Sequence, residues 1–305
     1  MHEQVSDTVL MVEPNNFGFN QECYEDNSFQ QESSLNSQTL QAMAKDEFYE
    51  MINYLRSRNI NIIIMKSDSD SPDAVFVNDW LSTHKIDGKH YLFVYPLLSA
   101  IRRAEVEPQK LKNLLKEKLG LDYKIKDFRG DFSRHLEGNA AMVFDKTHKK
   151  IFLSLSRRGD KELAQKVADE LGFDLITFTA LDHKNKPIYQ TTQILSIGEK
   201  LIFVCLESIK CEKERDIVAK ALQDSGKTII DLSKKQISLR CCNNLEVKNA
   251  QGRSFLILSA TANMGLTENQ TQMIDQYCER LACSVKTIED VGGGTARCMV
   301  SEIIK

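Results

Sequence analysis

Two spacings of apolar residues alternate along this chain. Apolar residues that recur every three to four positions predict an amphipathic helix, and runs of β-branched and aromatic residues predict a strand. Helices are predicted at residues 37–58, 107–120, 158–172, 210–226 and 267–282, and a strand-like run follows each of them. The pattern therefore predicts an α/β protein.

The junction between helix and strand has a repeated form, in which a polar or glycine break precedes an apolar run. The runs that follow the five helices lie at residues 62–64, 123–125, 175–178, 228–230 and 285–288. Because the predicted helices begin roughly 50 to 70 residues apart, the chain reads as five repeats of one supersecondary unit. Five similar units favour a closed ring.

Strand pairs between the helices separate this interpretation from its main alternative, a doubly wound parallel sheet without hairpins. Two such pairs are residues 142–145 with 151–154 and residues 193–197 with 201–206. We therefore predict one domain over residues 1–305, made of five small sheets that are each backed by a helix. The polar segment 15–38 contains Phe17 and Phe19, which favours a loop packed over the core.

Composition narrows the class of protein. With 305 residues, of which 42% are hydrophobic and 27% charged, the chain can bury a sizeable core. A formal charge of −3 gives no basic field, so neither nucleic acid nor a membrane surface is an expected partner. No apolar span approaches the ~18 residues of a membrane helix, and the first residues lack the pattern of an export signal. We expect a cytoplasmic protein, and the sequence leaves open whether it is a homo-oligomer.

The cysteines and histidines carry no metal-binding pattern. The eight cysteines include no Cys-x-x-Cys, and the six histidines form no cluster with ligand spacing. No metal ion and no other cofactor is therefore expected. Free thiols also fit the reducing cytoplasm.

Three consecutive glycines, Gly292 to Gly294, stand shortly before Cys298. Glycine allows conformations and close approaches that side chains forbid, so this spacing suggests a thiol presented to a bound ligand. Arg297 and unpaired loop N–H groups would favour the thiolate, which is the nucleophilic form. The alternative is a glycine-rich hairpin turn followed by a buried, apolar cysteine, and the segment alone does not decide.

The run 73–80 is largely apolar with an acidic residue near each end, and it predicts a strand. Its period of two places Asp73 and Asp79 on one face, where carboxylates are costly unless they are solvated or paired with a cation. The run is either a strand with exposed acidic ends or a seat for a cationic ligand, with Phe76 or Trp80 available to stack on a planar cation.

Two further short runs carry charged side chains. Arg102 and Arg103 lie in the run 97–105, which is interpreted as a solvated helix start or as a grip on a ligand carboxylate, with the first favoured. His135 and Glu137 lie on one side of an extended segment just ahead of a predicted strand. A surface strand end is the alternative for this second run.

The order of short motifs along the chain resembles that of the arginine deiminase and amidinotransferase superfamily, the penteins, and most closely its arginine-deiminase-related, citrulline-utilisation hydrolase type. The motifs lie at residues 16–20, 72–76, 82–84, 102–105, 136–138, 187–189, 292–294 and 296–299. They span nearly the whole chain, and their order is more specific than any one of them. The resemblance implies a five-bladed α/β propeller with its site in the central channel, in agreement with the five units.

The resemblance also implies roles for individual residues. Cys298 matches the nucleophile, Glu137 the carboxylate that supports a catalytic histidine, and Asp79 the carboxylate that holds the guanidinium of the substrate. The remaining substrate-binding residues implied in this way are Asp73, Phe76, Asn78 and Arg103.

One position departs from the superfamily motif. Where relatives have His-Thr-Asn after Pro-Ile-Tyr, this chain has Gln190-Thr191-Thr192, so an amide replaces the general acid and base. An amide hydrogen-bonds but does not transfer protons near neutral pH, and general acid–base catalysis is worth about 10²–10⁴-fold. His135, two residues from Glu137, is a candidate replacement, and a surface histidine is the alternative.

The sequence thus predicts a hydrolase of C–N bonds in a guanidino or ureido compound related to arginine, acting through a covalent intermediate on Cys298 and impaired by Gln190. This small molecule is the expected partner. Two alternatives stay open: a non-catalytic pentein that binds a guanidino metabolite or a protein partner, and an amidinotransferase that needs an amine acceptor. The sequence does not identify the substrate.

Overall fold

The computed structural model describes residues 3–25, 27, 29–130 and 132–305. In these ranges the strands are β1 (Thr8–Glu13), β2 (Asn61–Lys66), β3 (Leu81–Ile86), β4 (Lys89–Val94), β5 (Tyr123–Asp127), β6 (Met142–Asp145), β7 (Lys150–Ser154), β8 (Asp174–Phe178), β9 (Leu195–Ile197), β10 (Leu201–Val204), β11 (Thr228–Asp231), β12 (Leu245–Lys248), β13 (Ser254–Ser259), β14 (Glu279–Cys283) and β15 (Ser301–Glu302). The α-helices are α1 (Gln21–Tyr24), α2 (Ser37–Arg56), α3 (Pro108–Leu119), α4 (Gly138–Ala141), α5 (Lys161–Leu171), α6 (Glu212–Gln223), α7 (Lys234–Ser238), α8 (Ala260–Gly265), α9 (Glu268–Asp275) and α10 (Lys286–Gly292).

The described strands form five sheets of three strands each, and all five have the same design. In four of them an antiparallel pair is followed by a helical crossover to a parallel third strand: β3-β4-β5, β6-β7-β8, β9-β10-β11 and β12-β13-β14. The fifth sheet, β15-β1-β2, takes its antiparallel strand from the other end of the chain. A single doubly wound sheet is therefore wrong as an alternative, and the α/β prediction is confirmed.

Hydrogen bonds join each sheet to the next along the chain and return from the last sheet to the first. The bonds are Thr83 Oγ1 to Glu302 O, Asn139 Nδ2 to Leu81 O, Ser154 N to Thr191 Oγ1, Ser196 Oγ to Asn244 Oδ1, and Lys248 N to Ser6 O. Each of them involves the first strand of a sheet or the segment just before it. The first strands of the five sheets are called the inner strands, and they are β3, β6, β9, β12 and β15.

Four of the five predicted helices are confirmed, as α2, α3, α5 and α6. Gly120 and Gly172 adopt the left-handed conformation just after α3 and α5, with φ of 68° and 66°, and so end these helices as the breaks predicted. The fifth prediction is wrong at its end. Residues 279–283 form strand β14, paired parallel to β13, and the predicted strand at 285–288 belongs to helix α10. In so short a stretch, the spacing of apolar positions does not distinguish a helix from a strand.

Two other local predictions need correction. The run 73–80 is not a strand, because it forms a turn and then a 3₁₀ helix at Val77–Asp79. The run 97–105 contains a 3₁₀ helix at Ile101–Glu105, in which Arg102 is buried rather than solvated. In the described part of segment 15–38 Phe17 is buried and Phe19 is partly buried, as a packed segment requires, but helix α1 and the start of α2 interrupt the predicted loop.

The hydrophobic core fills the spaces between the sheets and the helices that cover them. Trp80 lies fully buried in one part of it, so its indole is not available to stack on a ligand. Within the described residues, no helix combines the length and the apolar character needed to cross a membrane.

Candidate active site

A cavity of about 520 Å³, including its opening to solvent, brings together residues from distant parts of the chain. Five of the predicted site residues line it: Asp73, Phe76, Asp79, Gln190 and Cys298. Segment 15–38 contributes Cys23, Asn27 and Phe29 to the wall. Asn243, Arg158 and Arg240 also line it, and no motif in the sequence had singled them out.

The glycine segment carries Cys298 into this cavity from the end of helix α10. Gly293 has a φ of 73° and ends the helix, so the segment is a helix terminus and not a hairpin turn. Gly292 and Gly294 are required for a different reason: a Cβ on Gly294 would lie 2.3 Å from the ring of Phe76. The ring of Phe76 thus packs onto the glycine segment and fixes its position.

The thiol of Cys298 is almost wholly buried, with polar neighbours on two sides. The side-chain amide of Asn243 lies 3.5 Å from Sγ, and Oγ1 of Thr295 lies 3.7 Å from it. Burial raises the pKa of the thiol, and the nearby Asp79 adds to this rise, against smaller effects of Thr295 and Arg297 in the other direction. In the ligand-free protein the thiol is therefore neutral near pH 7.

The expectation that Arg297 would make Cys298 a thiolate is wrong for this state. Its Nη1 donates to the carbonyl oxygen of Val300, and burial lowers the pKa of its guanidinium. Arg297 lines a separate cavity together with Lys146 and Glu302.

Asp79 is positioned by the 3₁₀ helix just before β3 and is paired with a buried arginine. Its Oδ2 accepts from Nη1 of Arg102 at 2.6 Å, and the other arm of the guanidinium donates to Glu105, also at 2.6 Å. Burial raises the pKa of Asp79 to about 6, since it outweighs Arg102, and the charge of Glu137 raises it further. Arg102 thus acts as an internal counter-ion, a role that the sequence interpretation missed.

Asp73 presents an unsatisfied oxygen beside this pair. Its Oδ2 accepts from Asn20 Nδ2 at 2.7 Å, whereas its Oδ1 is buried without a hydrogen-bond partner in the described chain. Burial raises the pKa of this carboxyl, and Arg102, 3.9 Å away, lowers it less. A buried acceptor without a partner costs free energy, which a donor on a ligand would recover.

Gln190 bridges the two predicted carboxylates. Its Nε2 lies 3.2 Å from Oε2 of Glu137 and 3.4 Å from Oδ1 of Asp79. Glu137 is fully buried and is paired with Nη1 of Arg158 at 3.1 Å. Glu137 is therefore connected to the cavity through Gln190 and Arg158 and not through a wall position of its own.

The two other predicted binding residues, Asn78 and Arg103, make different contacts. With its amide oriented to suit both neighbours, Asn78 donates to Asp79 Oδ1 at 3.1 Å and to the carbonyl oxygen of Cys298 at 2.6 Å, so it ties two site loops together. Arg103 donates to the carbonyl oxygens of Leu97 and Leu98 and packs over the ring of Phe132. Its described contacts are thus with its own loop and with Phe132 of a later loop, and it is not among the described residues that line the cavity.

His135 does not take the place of the missing histidine in this arrangement. It is absent from the described walls of the cavity, and its Nε2 is buried without a partner in the described chain. Burial and the charge of Arg103 lower the pKa of the imidazole. His135 therefore has no described contact through which it would serve Cys298.

The charge balance around the cavity favours a cation. Four buried carboxyl groups, those of Asp73, Asp79, Glu105 and Glu137, lie with two buried guanidinium groups, those of Arg102 and Arg158, and Arg240 adds a third guanidinium to the cavity wall. Within the described residues, no three His, Cys, Asp or Glu side chains are arranged to hold a metal ion.

Solved structures with the same fold are pentein hydrolases that modify arginine compounds. The N-terminal domain of ArgZ, covalently bound to a reaction intermediate, superposes with a TM-score of 0.74 at 13% identity over 98% of each chain. ArgZ is described as an arginine dihydrolase from Cyanobacteria. A dimethylarginine dimethylaminohydrolase, solved as an adduct with S-methyl-L-thiocitrulline, gives 0.63 at 12% identity over 98% of this chain and 100% of the other. At such identities the likeness shows the fold alone.

The fold matches that of these hydrolases, and together with the family model it confirms the predicted resemblance to the pentein superfamily. The chain belongs to the family of eukaryotic N,N-dimethylarginine dimethylhydrolases, whose profile matches residues 13–305. No curated protein sequence matches it.

Proposed function

We propose that this protein is a hydrolase that binds the guanidinium group of an arginine derivative in the cavity and attacks its central carbon with Cys298. The observation that carries the proposal is the placement of a buried thiol and two buried carboxyl groups, of Asp73 and Asp79, on one cavity. Membership of the dimethylarginine dimethylhydrolase family supports the same class of substrate.

Binding follows from the charges and the unsatisfied acceptor. A guanidinium group is a planar cation with N–H donors in its plane, so it suits carboxylates that approach from its edge. Asp73 offers Oδ1, which has no partner in the described chain, and Asp79 offers Oδ1, which only the Gln190 and Asn78 amides approach among the described contacts. A bound guanidinium would also offset the excess of buried carboxyl groups.

The same cation would activate the nucleophile. Burial and Asp79 hold the pKa of Cys298 above its ordinary value, and a positive charge beside the sulfur would stabilise the thiolate. The thiolate then adds to the guanidinium carbon, and the C–N bond to the leaving amine breaks as that amine takes up a proton. Water adds to the resulting thiouronium carbon, and the C–S bond breaks to release a urea-type product and the thiol.

Gln190 supports a second candidate, a protein that binds or traps a guanidino compound without efficient turnover. Its amide lies between Asp79 and Glu137, where the superfamily motif has histidine, and it does not transfer protons near neutral pH. Departure of the amine and attack by water both need proton transfer, so either step would be slow. An amidinotransferase differs from both in that product forms only with an amine acceptor.

The proposed site lies where the five inner strands begin. We propose that the sheets are the blades of a five-bladed propeller, with the cavity at one end of its axis. Support comes from the circuit of hydrogen bonds that returns from the last sheet to the first.

Mass spectrometry and product assays separate the candidates. The protein would be incubated with L-arginine, N-methylated arginines and ureido analogues, with and without an amine acceptor. A hydrolase releases ammonia or an alkylamine in proportion to time, whereas a trap shows a stoichiometric mass increase on Cys298. Cys298→Ala should lose both signals and retain ligand affinity. Absence of product, adduct and binding for every compound would refute the proposal.

A further inference from the structure

The segment before each inner strand contributes one side chain to the same region. Asp79 precedes β3, Glu137 precedes β6, Gln190 precedes β9 and Cys298 precedes β15. The corresponding residue before the remaining inner strand, β12, is Asn243. These five residues lie between two and five positions ahead of their strands, and four of them carry the groups assigned above to the proposed reaction, so Asn243 is the candidate from the fifth segment.

The contacts of Asn243 fit that expectation. Its side chain is 5% exposed, and its Nδ2 lies 3.5 Å from Sγ of Cys298. Its Oδ1 is buried and has no hydrogen-bond partner in the described chain, although the residue lines the cavity. The Nδ2 end of the amide therefore contacts the nucleophile, and the Oδ1 end is an acceptor that can take a hydrogen bond from a ligand.

We propose that Asn243 is a catalytic residue of the reaction described above, on which this inference rests. Its N–H stabilises the thiolate of Cys298, and its carbonyl oxygen accepts an N–H of the bound guanidinium. A single rigid amide thereby holds sulfur and substrate in a fixed relation, which favours attack at the guanidinium carbon. It also confers selectivity for ligands that carry N–H donors beside the reactive carbon.

Thr295 shares the stabilisation of the sulfur with Asn243, but it does not offer the unpaired acceptor that Asn243 offers to a ligand. Thr295 is the other side chain near the sulfur, at 3.7 Å from Oγ1 to Sγ, and its hydroxyl can donate to the sulfur while its oxygen accepts from the backbone N–H of Arg297. Arg297 itself donates to Val300. Among the described side-chain contacts, the amide of Asn243 is the shortest polar approach to the sulfur.

Alkylation of the thiol tests the proposal without requiring turnover. Cationic 2-chloroacetamidine and neutral 2-chloroacetamide differ in the group that the carbonyl oxygen of Asn243 would recognise. Modification of Cys298 would be followed by peptide mapping over a range of pH, with Cys298→Ser as the blank. The parent should react faster with the amidine.

Asn243→Ala should slow alkylation of Cys298 by both reagents about tenfold near neutral pH, because the thiol pKa rises by about one unit. Its preference for the amidine should fall several-fold as well. Asn243→Asp keeps the size and the acceptor, so it should show a raised thiol pKa with the amidine preference retained or increased. Asn249→Ala, at a buried asparagine whose amide donates to the carbonyl oxygen of Arg58, serves as the matched control and should keep the parent pH profile.

A parent-like pH profile and amidine preference in both Asn243 variants would overturn the inference. If Asn243→Ala does not fold, Asn243→Asp decides alone, because a structural role would change stability without moving the thiol pKa. A parent protein that neither reagent modifies at Cys298 would overturn the proposed function itself. The two failures are therefore distinguishable.

Discussion

Arg102 holds the Asp79 carboxylate at 2.6 Å from Nη1 to Oδ2, and both side chains are almost wholly buried. The protein thus places a guanidinium of its own against the carboxylate that is proposed to bind the substrate. Because Arg102 takes only Oδ2, the other oxygen is left to the neutral amides of Gln190 and Asn78 and to a ligand. An internal cation at this position keeps several buried carboxyl groups tolerable while the cavity is empty.

Removal of Arg102 should therefore destabilise the fold strongly. Arg102→Leu leaves the carboxyl groups of Asp79 and Glu105 buried without their partner, and loss of one member of a buried pair costs about 3–5 kcal/mol. Arg103→Leu is the matched control, because that neighbour donates to backbone carbonyls, and about 1 kcal/mol is expected for it. Urea denaturation measures both, and equal losses would contradict the counter-ion role.

The pKa of Asp79 gives ligand affinity a pH dependence of definite sign. Burial raises this pKa to about 6, so the carboxyl is protonated below that pH in the ligand-free protein. A cationic ligand needs the carboxylate, and its affinity should therefore be constant above about pH 7 and approach a tenfold loss per pH unit below about 6. Calorimetric titration of the Cys298→Ala variant with L-arginine measures this slope. A flat profile between about pH 5 and 7.5 would remove Asp79 from the binding site.

The free energy of unfolding of the ligand-free protein should fall as the pH rises, whereas the ligand affinity rises. Because the folded-state pKa of Asp79 is raised from 3.8 to about 6, its contribution is fully present below about pH 4 and is lost as the pH rises through about 6. Asp79→Asn lacks this pH-dependent contribution to stability. The difference in free energy of unfolding between parent and variant should therefore shift against the parent, by about 3 kcal/mol, over that interval. A difference independent of pH would contradict the raised pKa.

The regular part of the fold was predictable because periodicity records which face of an element is buried. Helices α3 and α5 end at glycines in the left-handed conformation, and such breaks are visible in sequence. The end of the last repeat was not predictable in the same way. Strand β14 is short, and its identity depends on parallel pairing with β13, a contact that no local spacing records.

The site was predictable where a motif carries the residue, as for Cys298, Asp79 and Gln190, all of which line one cavity. The role of Arg102 was not, because an arginine beside another arginine reads as solvated until its buried partners are known. Asn243 was missed for a related reason. Its proposed role follows from its contacts with Cys298 and the cavity, and only the assembled sheets bring the segment before β12 to that place.

Restoring a proton-transfer group at residue 190 should raise turnover. Gln190→His would place an imidazole next to Glu137 and Asp79, where it can protonate the leaving amine and activate water, and a gain of about 10²–10⁴-fold is expected. Gln193→His is the matched control, because Gln193 lines the same cavity without a described contact to either carboxylate. Steady-state product formation from arginine derivatives measures the effect. Equal rates in both variants and the parent would show that the amide is not what limits turnover.

The packing of Phe76 against the glycine segment should be sensitive to a single methyl group. A Cβ on Gly294 would lie 2.3 Å from the ring, so Gly294→Ala must displace either Phe76 or the segment that carries Cys298, at about 1–3 kcal/mol. Gly18→Ala, where a Cβ meets nothing within 4 Å, should stay within about 0.5 kcal/mol of the parent. Adding Phe76→Leu to Gly294→Ala makes room for the methyl group. The double variant should therefore lose less stability than the two single variants lose in sum. Denaturation of the four proteins of this cycle measures the coupling, and strict additivity would mean that the ring does not determine the position of the glycine segment.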